Sequence, residues 1–315
     1  MYLSVVMELE NAGLAGCARA VTVLRTLADQ LCQAPPSLVE QSEFLLGYDP
    51  SDWSLESVRR IVTESGIESA VDHIVFLEQA DADYFALKNA GAESASGDVI
   101  LFLDSDVIPE PEWLETMLRA FAVSGAPVVG SHCYIDGVDL ISRAYALFGT
   151  FPLRDETCGN EVFLNSLAVR PWVMKQFPFP RLPLFRNSAH LWKRELVSAG
   201  VRVLALADAR VVHPAPAGVI ALFRRSLSDG HDHYASRRYG EDRSRVMSLV
   251  IGLTGCGLRT IQKTARTLRK GPATGLNMVE MPAALGLCLL SHGARVLGCV
   301  ASFVRDGATS RHIGT

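Results

Sequence analysis

The sequence predicts an α/β fold, in which a mostly parallel sheet is covered by helices on both faces and is followed by a C-terminal helical region. Apolar strand segments alternate four times with helical segments in about the first hundred residues. Beyond residue 218 this alternation stops, and long apolar and basic segments take over. Of the 315 residues 49% are hydrophobic and 20% charged, which excludes a disordered or collagen-like chain.

Four strands and three helices are predicted in this first part. The strands are Met1–Met7, Phe44–Tyr48, Asp72–Leu77 and Val99–Leu103, and the helices are Ala15–Gln33, Leu55–Ser65 and Asp83–Ala95. Such an order indicates βαβ units, whose ligands bind beyond the carboxyl ends of the strands. The polar residues expected at those ends are Glu10 and Asn11, Asp49, and Asp104 with Asp106.

Charge is distributed unevenly along the chain. Residues 1–115 contain 21 Asp and Glu against 5 Lys and Arg, and the remaining residues contain 13 against 25. The acidic first part argues against a nucleic-acid partner, and the basic remainder favours anionic partners such as phosphates or a membrane surface. The 7 cysteines form no CxxC pair, so we expect reduced thiols rather than a zinc site.

Asp104-Ser105-Asp106 directly follows an apolar strand and carries the clearest chemical signal. Two carboxylates so close repel each other unless a cation lies with them, and Mg²⁺ or Mn²⁺ suits such oxygens together with substrate phosphates. The alternative is that both aspartates only cap the turn that follows.

A series of motifs surrounds these aspartates. They are Lys88-Asn89-Ala90-Gly91, Ala95-Ser96-Gly97-Asp98, Phe102-Leu103-Asp104-Ser105-Asp106, Pro109 and Trp113-Leu114. This series resembles the nucleotide-sugar half of family 2 glycosyltransferases with the GT-A fold. The resemblance extends over roughly residues 1–215 and is densest in residues 86–114. It implies a GT-A domain over residues 1–218. The basic and apolar segments of residues 219–315 predict a helical, membrane-associated tail.

The resemblance also implies an activity and a set of roles. A sugar would pass from a nucleotide-diphosphate donor to an acceptor hydroxyl, with inversion. Glu10, Asn11 and Asp49 would contact the base and ribose, and Lys88 and Asn89 would line the nucleotide pocket. Asp104 and Asp106 would hold the ribose and an Mg²⁺ or Mn²⁺ ion, which His213, at the end of a late strand, would also bind.

One departure from the family pattern concerns the general base. The acidic pair expected before Gly200 is absent, because Arg186-Asn187-Ser188-Ala189-His190 occupies those positions. Either His190 is the base, or Asp155, Glu156 or Glu161 is. A further alternative is a catalytically silent relative that acts as a membrane-associated binding partner. A nucleotidyltransferase is disfavoured, because the loop after the first strand is acidic rather than phosphate-binding.

The C-terminal part predicts a membrane partner. Residues 259, 263, 266 and 270 are cations that share one helical face, as expected for a helix lying on an anionic leaflet, although a solvated helix packed on the catalytic domain is the alternative. Pro282–Val304 is long enough to span a bilayer but contains Arg295. We therefore expect a saccharide or lipid-linked acceptor and a location on the cytoplasmic side of the cell membrane, peripheral or with one C-terminal span.

Overall fold

The computed structural model describes residues 1–152, 154, 162–182 and 188–312. They form two compact units. The first comprises residues 1–134, 155–180 and 192–214, and the second comprises residues 135–154, 181–191 and 215–315. The predicted division of the chain at residues 218 and 219 stays a prediction.

The eight strands of the described residues form one sheet. They are β1 (Tyr2–Glu8), β2 (Gln41–Tyr48), β3 (His73–Glu78), β4 (Val99–Leu103), β5 (Ile108–Pro109), β6 (Val128–Ile135), β7 (Ser166–Val169) and β8 (Val203–His213). Their order is β3-β2-β1-β4-β7-β6-β8-β5.

The first half of the sheet is parallel, as predicted: β1 pairs in parallel with β2 and β4, and β2 with β3. Every residue of β4 is buried, so both faces of the sheet are covered there. The second half differs from a mostly parallel sheet, because β7 is antiparallel to β4 and β6, and β5 is antiparallel to β8. The α/β fold is confirmed, with a mixed sheet.

The helices connect and cover these strands. They are α1 (Glu10–Ala15), α2 (Cys17–Gln33), α3 (Leu55–Ser65), α4 (Tyr84–Ser94), α5 (Trp113–Ser124), α6 (Leu140–Phe148), α7 (Pro171–Gln176), α8 (Ser188–Ser198), α9 (Val219–Arg238), α10 (Arg245–Lys270) and α11 (Glu280–His312). The predicted boundaries of α3 and β4 are reproduced. α1 and α2 are separated at Gly16, whose φ of 94° suits glycine.

The second unit is a helical assembly in which α11 packs against α9, α10 and α6. Its interior contains polar side chains. The buried ones include Ser226, Asp232, Ser248, Thr267, Ser291, His292 and Arg295. Arg295 donates to Asp229 at 3.1 Å, and the Ser226 and Ser291 hydroxyls lie 2.8 Å apart. These two contacts satisfy polar groups that are buried away from bulk water.

Several outward positions of α10 are apolar. Met247, Val250, Leu258, Ile261 and Leu268 are 50–70% exposed and follow a spacing of three or four residues or its multiples. Two of the cations expected to face a membrane also contact groups of the same unit. The Arg259 guanidinium donates to His233 Nε2 at 2.6 Å, and Lys263 donates to the Gly149 carbonyl at 3.2 Å.

Among the residues that the structure describes, one stretch is long and apolar enough to cross a membrane, by length and composition alone. It is Glu280–Asp306 in α11, and 39% of its most apolar window is buried inside the protein. A core helix of a soluble protein passes the same test, so this finding allows an anchor without showing one.

Candidate active site

Asp104 begins the loop after β4 and lies at the centre of a buried polar cluster. Its carboxylate accepts a hydrogen bond from Lys88 Nζ at 2.5 Å, bonds from the Tyr84 hydroxyl at 2.8 and 2.9 Å, and one from Asn11 Nδ2 at 3.2 Å. Donors on two different helices, α4 and α1, therefore converge on the two oxygens of one side chain. The expectation that Asp104 itself binds the metal is not supported, because these donors already surround its charge.

Lys88 is fully buried, with 0% of its surface exposed. It lies on α4 one turn after Tyr84, so both side chains share a face of this helix. Besides its ion pair with Asp104, the ammonium group donates to the Leu164 carbonyl at 2.7 Å and lies 4.5 Å from the Tyr84 ring centroid. Lys88 has no exposed surface and contacts Asp104, so its expected place in a nucleotide pocket stays a prediction.

Glu8, the last residue of β1, adds a second carboxyl group to this cluster. Asn11 donates to it twice, from the backbone at 3.1 Å and from Nδ2 at 2.9 Å. Burial and the neighbouring charge of Asp104 raise the pKa of Glu8 well above its usual value. Burial, Asp104 and Glu8 also raise the pKa of Tyr84, so its hydroxyl keeps the proton that it donates to Asp104.

Asp106 and His213 approach each other at the end of β8. His213 Nε2 lies 3.8 Å from Asp106 Oδ2, and both residues are buried. His213 Nδ1 lies 2.7 Å from the Pro214 carbonyl oxygen, which can only accept, so this nitrogen carries a proton. In the neutral imidazole the lone pair is then on Nε2, on the side of Asp106. A hydrogen bond from the other ring nitrogen to a backbone carbonyl is typical of metal-binding histidines.

The other residues predicted to contact the nucleotide lie apart from this cluster or are held by backbone contacts. Asp49 follows β2, and its two oxygens accept from the backbone nitrogens of Ser51 at 2.8 Å and Ala82 at 3.0 Å. Hydrogen bonds from the backbone and hydroxyl of Ser51 lower the pKa of Asp49 despite some burial. Asp49 therefore fixes the loops after β2 and β3. Glu10 is exposed at the first position of α1.

Asn89 is buried and has a structural partner. Its Nδ2 donates to the Phe179 carbonyl and its Oδ1 accepts from the Phe179 nitrogen, both at 2.9 Å. The amide thus mimics a backbone segment and pins residue 179 against α4. With both polar ends engaged, Asn89 holds the chain after α7 rather than a ligand, which differs from its expected place in a nucleotide pocket.

The described residues do not decide which candidate side chain is the general base. His190 is exposed in the first turn of α8 and belongs to the second unit, whereas Asp106 and His213 belong to the first. Asp155, Glu156 and Glu161 lie outside the described residues. The base stays a prediction.

Sequence reasoning missed three members of the site: Glu8, Tyr84 and Arg19. Tyr84 had a signal, since it precedes Lys88 by four residues on a predicted helix. Glu8 was assigned to the loop after the first strand, although it is the last residue of that strand. For Arg19, the spacing gave no indication, because its contacts are with backbone carbonyls distant in the sequence.

Known proteins are similar to this chain over the region that contains the two aspartates. The sequence model of the family described as "Glycosyl transferase family 2" matches residues 63–169, which include α4, β4 and the two aspartates. Glycosyltransferase AglE of Haloferax volcanii is 27% identical over 153 residues, which are 47% of this chain and 50% of that protein. The chain thus spans about half the length of this curated relative.

Solved structures show the same fold. Mannosyltransferase PcManGT from Pyrobaculum calidifontis, in complex with GDP-Man and Mn²⁺, has a TM-score of 0.54 at 14% identity over 94% of this chain and 86% of that one. S. aureus TarS 1-349 has a TM-score of 0.48 at 16% identity over 98% and 92% of the two chains, too low to add to the argument.

The described residues have the fold of GT-A glycosyltransferases. Residues 63–169, which include the two aspartates, are similar to glycosyltransferase family 2.

Proposed function

We propose that this protein transfers a sugar from a nucleotide-diphosphate sugar to an acceptor hydroxyl. The observation that carries the proposal is the buried Lys88–Asp104 pair, which fixes the end of β4 so that Asp106 lies beside His213. A catalytically silent relative has less support, because a purely structural site has no need for a carboxylate and an imidazole side by side at a strand end.

The donor set fits a divalent cation. Ligands of one octahedral ion with bonds of about 2.1 Å lie about 3.0 to 4.2 Å apart, and the 3.8 Å between Asp106 Oδ2 and His213 Nε2 is within that range. In the part of the chain that is described, no group of three or more His, Cys, Asp or Glu side chains could hold a metal ion. Two protein ligands are nevertheless sufficient when diphosphate oxygens and waters complete the shell.

Asp106 and His213 would therefore hold Mg²⁺ or Mn²⁺. When bound, such an ion supplies Lewis-acid stabilisation of the charge that develops on the leaving diphosphate. Lys88 and Tyr84 hold Asp104, and through its backbone the loop that carries Asp106, in place before any ligand arrives. Preorganisation of this kind lowers the cost of assembling a charged site.

The acceptor side of the proposal rests on the second unit. A saccharide or lipid-linked acceptor hydroxyl would attack with inversion, helped by His190 or by an acid among Asp155, Glu156 and Glu161. The outward apolar positions of α10 and α11 support contact with a lipid bilayer. Because Arg259 and Lys263 are engaged by His233 and by the Gly149 carbonyl, insertion of apolar side chains rather than attraction to anionic lipid would dominate this contact.

Flotation with liposomes tests the membrane contact. The full chain should float with neutral phosphatidylcholine vesicles and should still float at high salt. Leu258→Glu with Ile261→Glu should abolish flotation, and Gln262→Glu, also exposed on α10, should not. Flotation that needs anionic lipid and disappears with salt would restore the electrostatic alternative, and location on the cytoplasmic side is a separate expectation.

A thermal-shift panel tests the donor and the metal. UDP-, GDP- and dTDP-sugars are compared with and without Mn²⁺, starting from GDP-mannose because PcManGT was solved with it. A donor at 100 times its Kd stabilises the protein by about 2.7 kcal/mol. Asp106→Asn and His213→Gln should lose the Mn²⁺-dependent part of the shift, and Asp52→Asn, an exposed acid, should keep it. No response to any donor would favour the silent relative.

A further inference from the structure

Arg19 joins the two strands that carry the candidate metal ligands. It is the third residue of α2, and its guanidinium donates in two directions. Nε donates to the Asp106 carbonyl oxygen at 2.5 Å, and Nη2 donates to the Val212 carbonyl oxygen at 3.1 Å. Asp106 and Val212 are 106 positions apart in the sequence, and Val212 directly precedes His213.

The contacts of Arg19 complete an arrangement that the sheet begins. Val212 pairs with Ile108 in the short β5–β8 ladder, two residues after Asp106. This ladder fixes one side of the Asp106 loop against β8. The two hydrogen bonds that the Arg19 guanidinium donates, called the Arg19 fork below, fix the other side. Arg19 contacts the backbone of Asp106 rather than its carboxylate.

A lysine cannot replace this fork. Guanidinium offers planar donors with fixed, divergent directions, whereas an ammonium group is a point charge on a flexible stem. Burial lowers the pKa of Arg19 from its usual value, and the charge of Asp106 acts in the opposite direction. Desolvation is the cost of placing this cation here, and the two carbonyl bonds offset it.

We propose that Arg19 is a positioning residue that holds Asp106 and His213 as one divalent-cation site. The inference rests on the proposed function, since it concerns the metal of that same site. Two effects of Arg19 oppose each other: its fork orders the ligands, while its positive charge repels the ion. The ordering effect outweighs the repulsion, because the charge is directed at backbone oxygens. Contacts that hold metal ligands in place change metal affinity by about 10- to 100-fold.

Titration of the full chain with Mn²⁺ alone, with free Mn²⁺ followed by electron paramagnetic resonance, tests this role without turnover. Arg19→Met and Arg19→Lys should both weaken Mn²⁺ binding by about tenfold or more. The lysine variant separates geometry from charge, since it keeps the charge and loses the fork. Arg25→Met is the matched control, because Arg25 also lies on α2 and donates to a backbone carbonyl, that of Glu64, at 2.9 Å.

A double-mutant cycle with His213→Ala shows whether the effect passes through the ligand pair. In that background Arg19→Met should weaken Mn²⁺ binding less than in the wild type, because one of the two positioned ligands is gone. Unchanged or tighter binding in Arg19→Met, with circular dichroism showing that the variant is folded, overturns the inference. If wild type itself binds no Mn²⁺, or Asp106→Asn binds as wild type does, it is the proposed metal site that fails.

Discussion

Replacement of Lys88 by methionine isolates the buried ion pair on which the site depends. Methionine keeps most of the volume of the side chain but removes the charge and the donors to Asp104 and Leu164. The side chains of Lys88 and Asp104 are 0% and 6% exposed, so the remaining carboxylate is left buried without its cation. Breaking such a pair from one side costs about 3–5 kcal/mol. For a unit of this size the loss corresponds to about 6–20 °C in melting temperature.

Intrinsic tryptophan fluorescence during urea or thermal unfolding measures this loss selectively. All 4 tryptophans, at positions 53, 113, 172 and 192, belong to the first unit, so their signal reports the unit that contains the pair. Lys175→Met is the control, because Lys175 is an exposed lysine of the same unit. Its unfolding midpoint should remain within about 0.5 kcal/mol of wild type.

The double variant Lys88→Met with Asp104→Asn decides whether the unpaired charge is the cause. Removing the carboxylate charge as well should restore part of the loss, since replacing both partners of a buried pair is far milder than removing one. Additive losses in the double variant would refute the reasoning. A loss below about 1 kcal/mol in Lys88→Met alone would refute it too.

Three further outcomes follow from the first unit. Because the pKa of Glu8 is raised in the folded state, the wild type should lose stability relative to Glu8→Gln as the pH rises above about 4.3. Denaturation midpoints that change in the same way for both proteins from about pH 5 to 8 would contradict this. Gly91→Ala should cost about 1–3 kcal/mol in urea unfolding, since its Cβ would overlap the Val6 side chain, whereas Gly13→Ala, with open space around it, should not destabilise. Asn89→Ala should remove two buried hydrogen bonds and cost about 1–3 kcal/mol, seen as a lower melting temperature and as faster hydrogen exchange after α7; unchanged exchange there would count against the bridge.

Local patterns predicted the parallel half of the sheet well. β4 is an unbroken apolar run between a glycine turn and two aspartates, and α3 begins with a serine that caps it, so sequence and structure agree on both. The antiparallel half was missed because β5 and β7 contain only two and four residues. Segments so short carry no periodicity, and distant pairing alone defines them.

The sequence predicted which residues belong to the candidate site better than it predicted what each of them contacts. Asp104 and Asp106 were recognised together, yet Asp104 is surrounded by Lys88, Tyr84 and Asn11, while Asp106 lies beside His213. Spacing in a sequence shows that two carboxylates share a loop, but not which donors reach each one. That difference arises from α4 and α1, which pack on the sheet in an arrangement that no local pattern specifies.

The same limit applies to the C-terminal helices. The cations of α10 were expected to face outward because charged residues usually do, but Arg259 and Lys263 find acceptors inside the second unit. A helical wheel shows that two faces differ and leaves open which one is buried.

The register of the two-residue ladder between β5 and β8 determines the face of the sheet to which His213 points. Pro109 lies opposite Val211 and Ile108 opposite Val212, and successive residues of a strand point to opposite faces. A slip of this ladder by one residue would turn the His213 imidazole to the reverse face of the sheet, away from Asp106. The register of these two residue pairs is therefore as constrained as the identity of the residues.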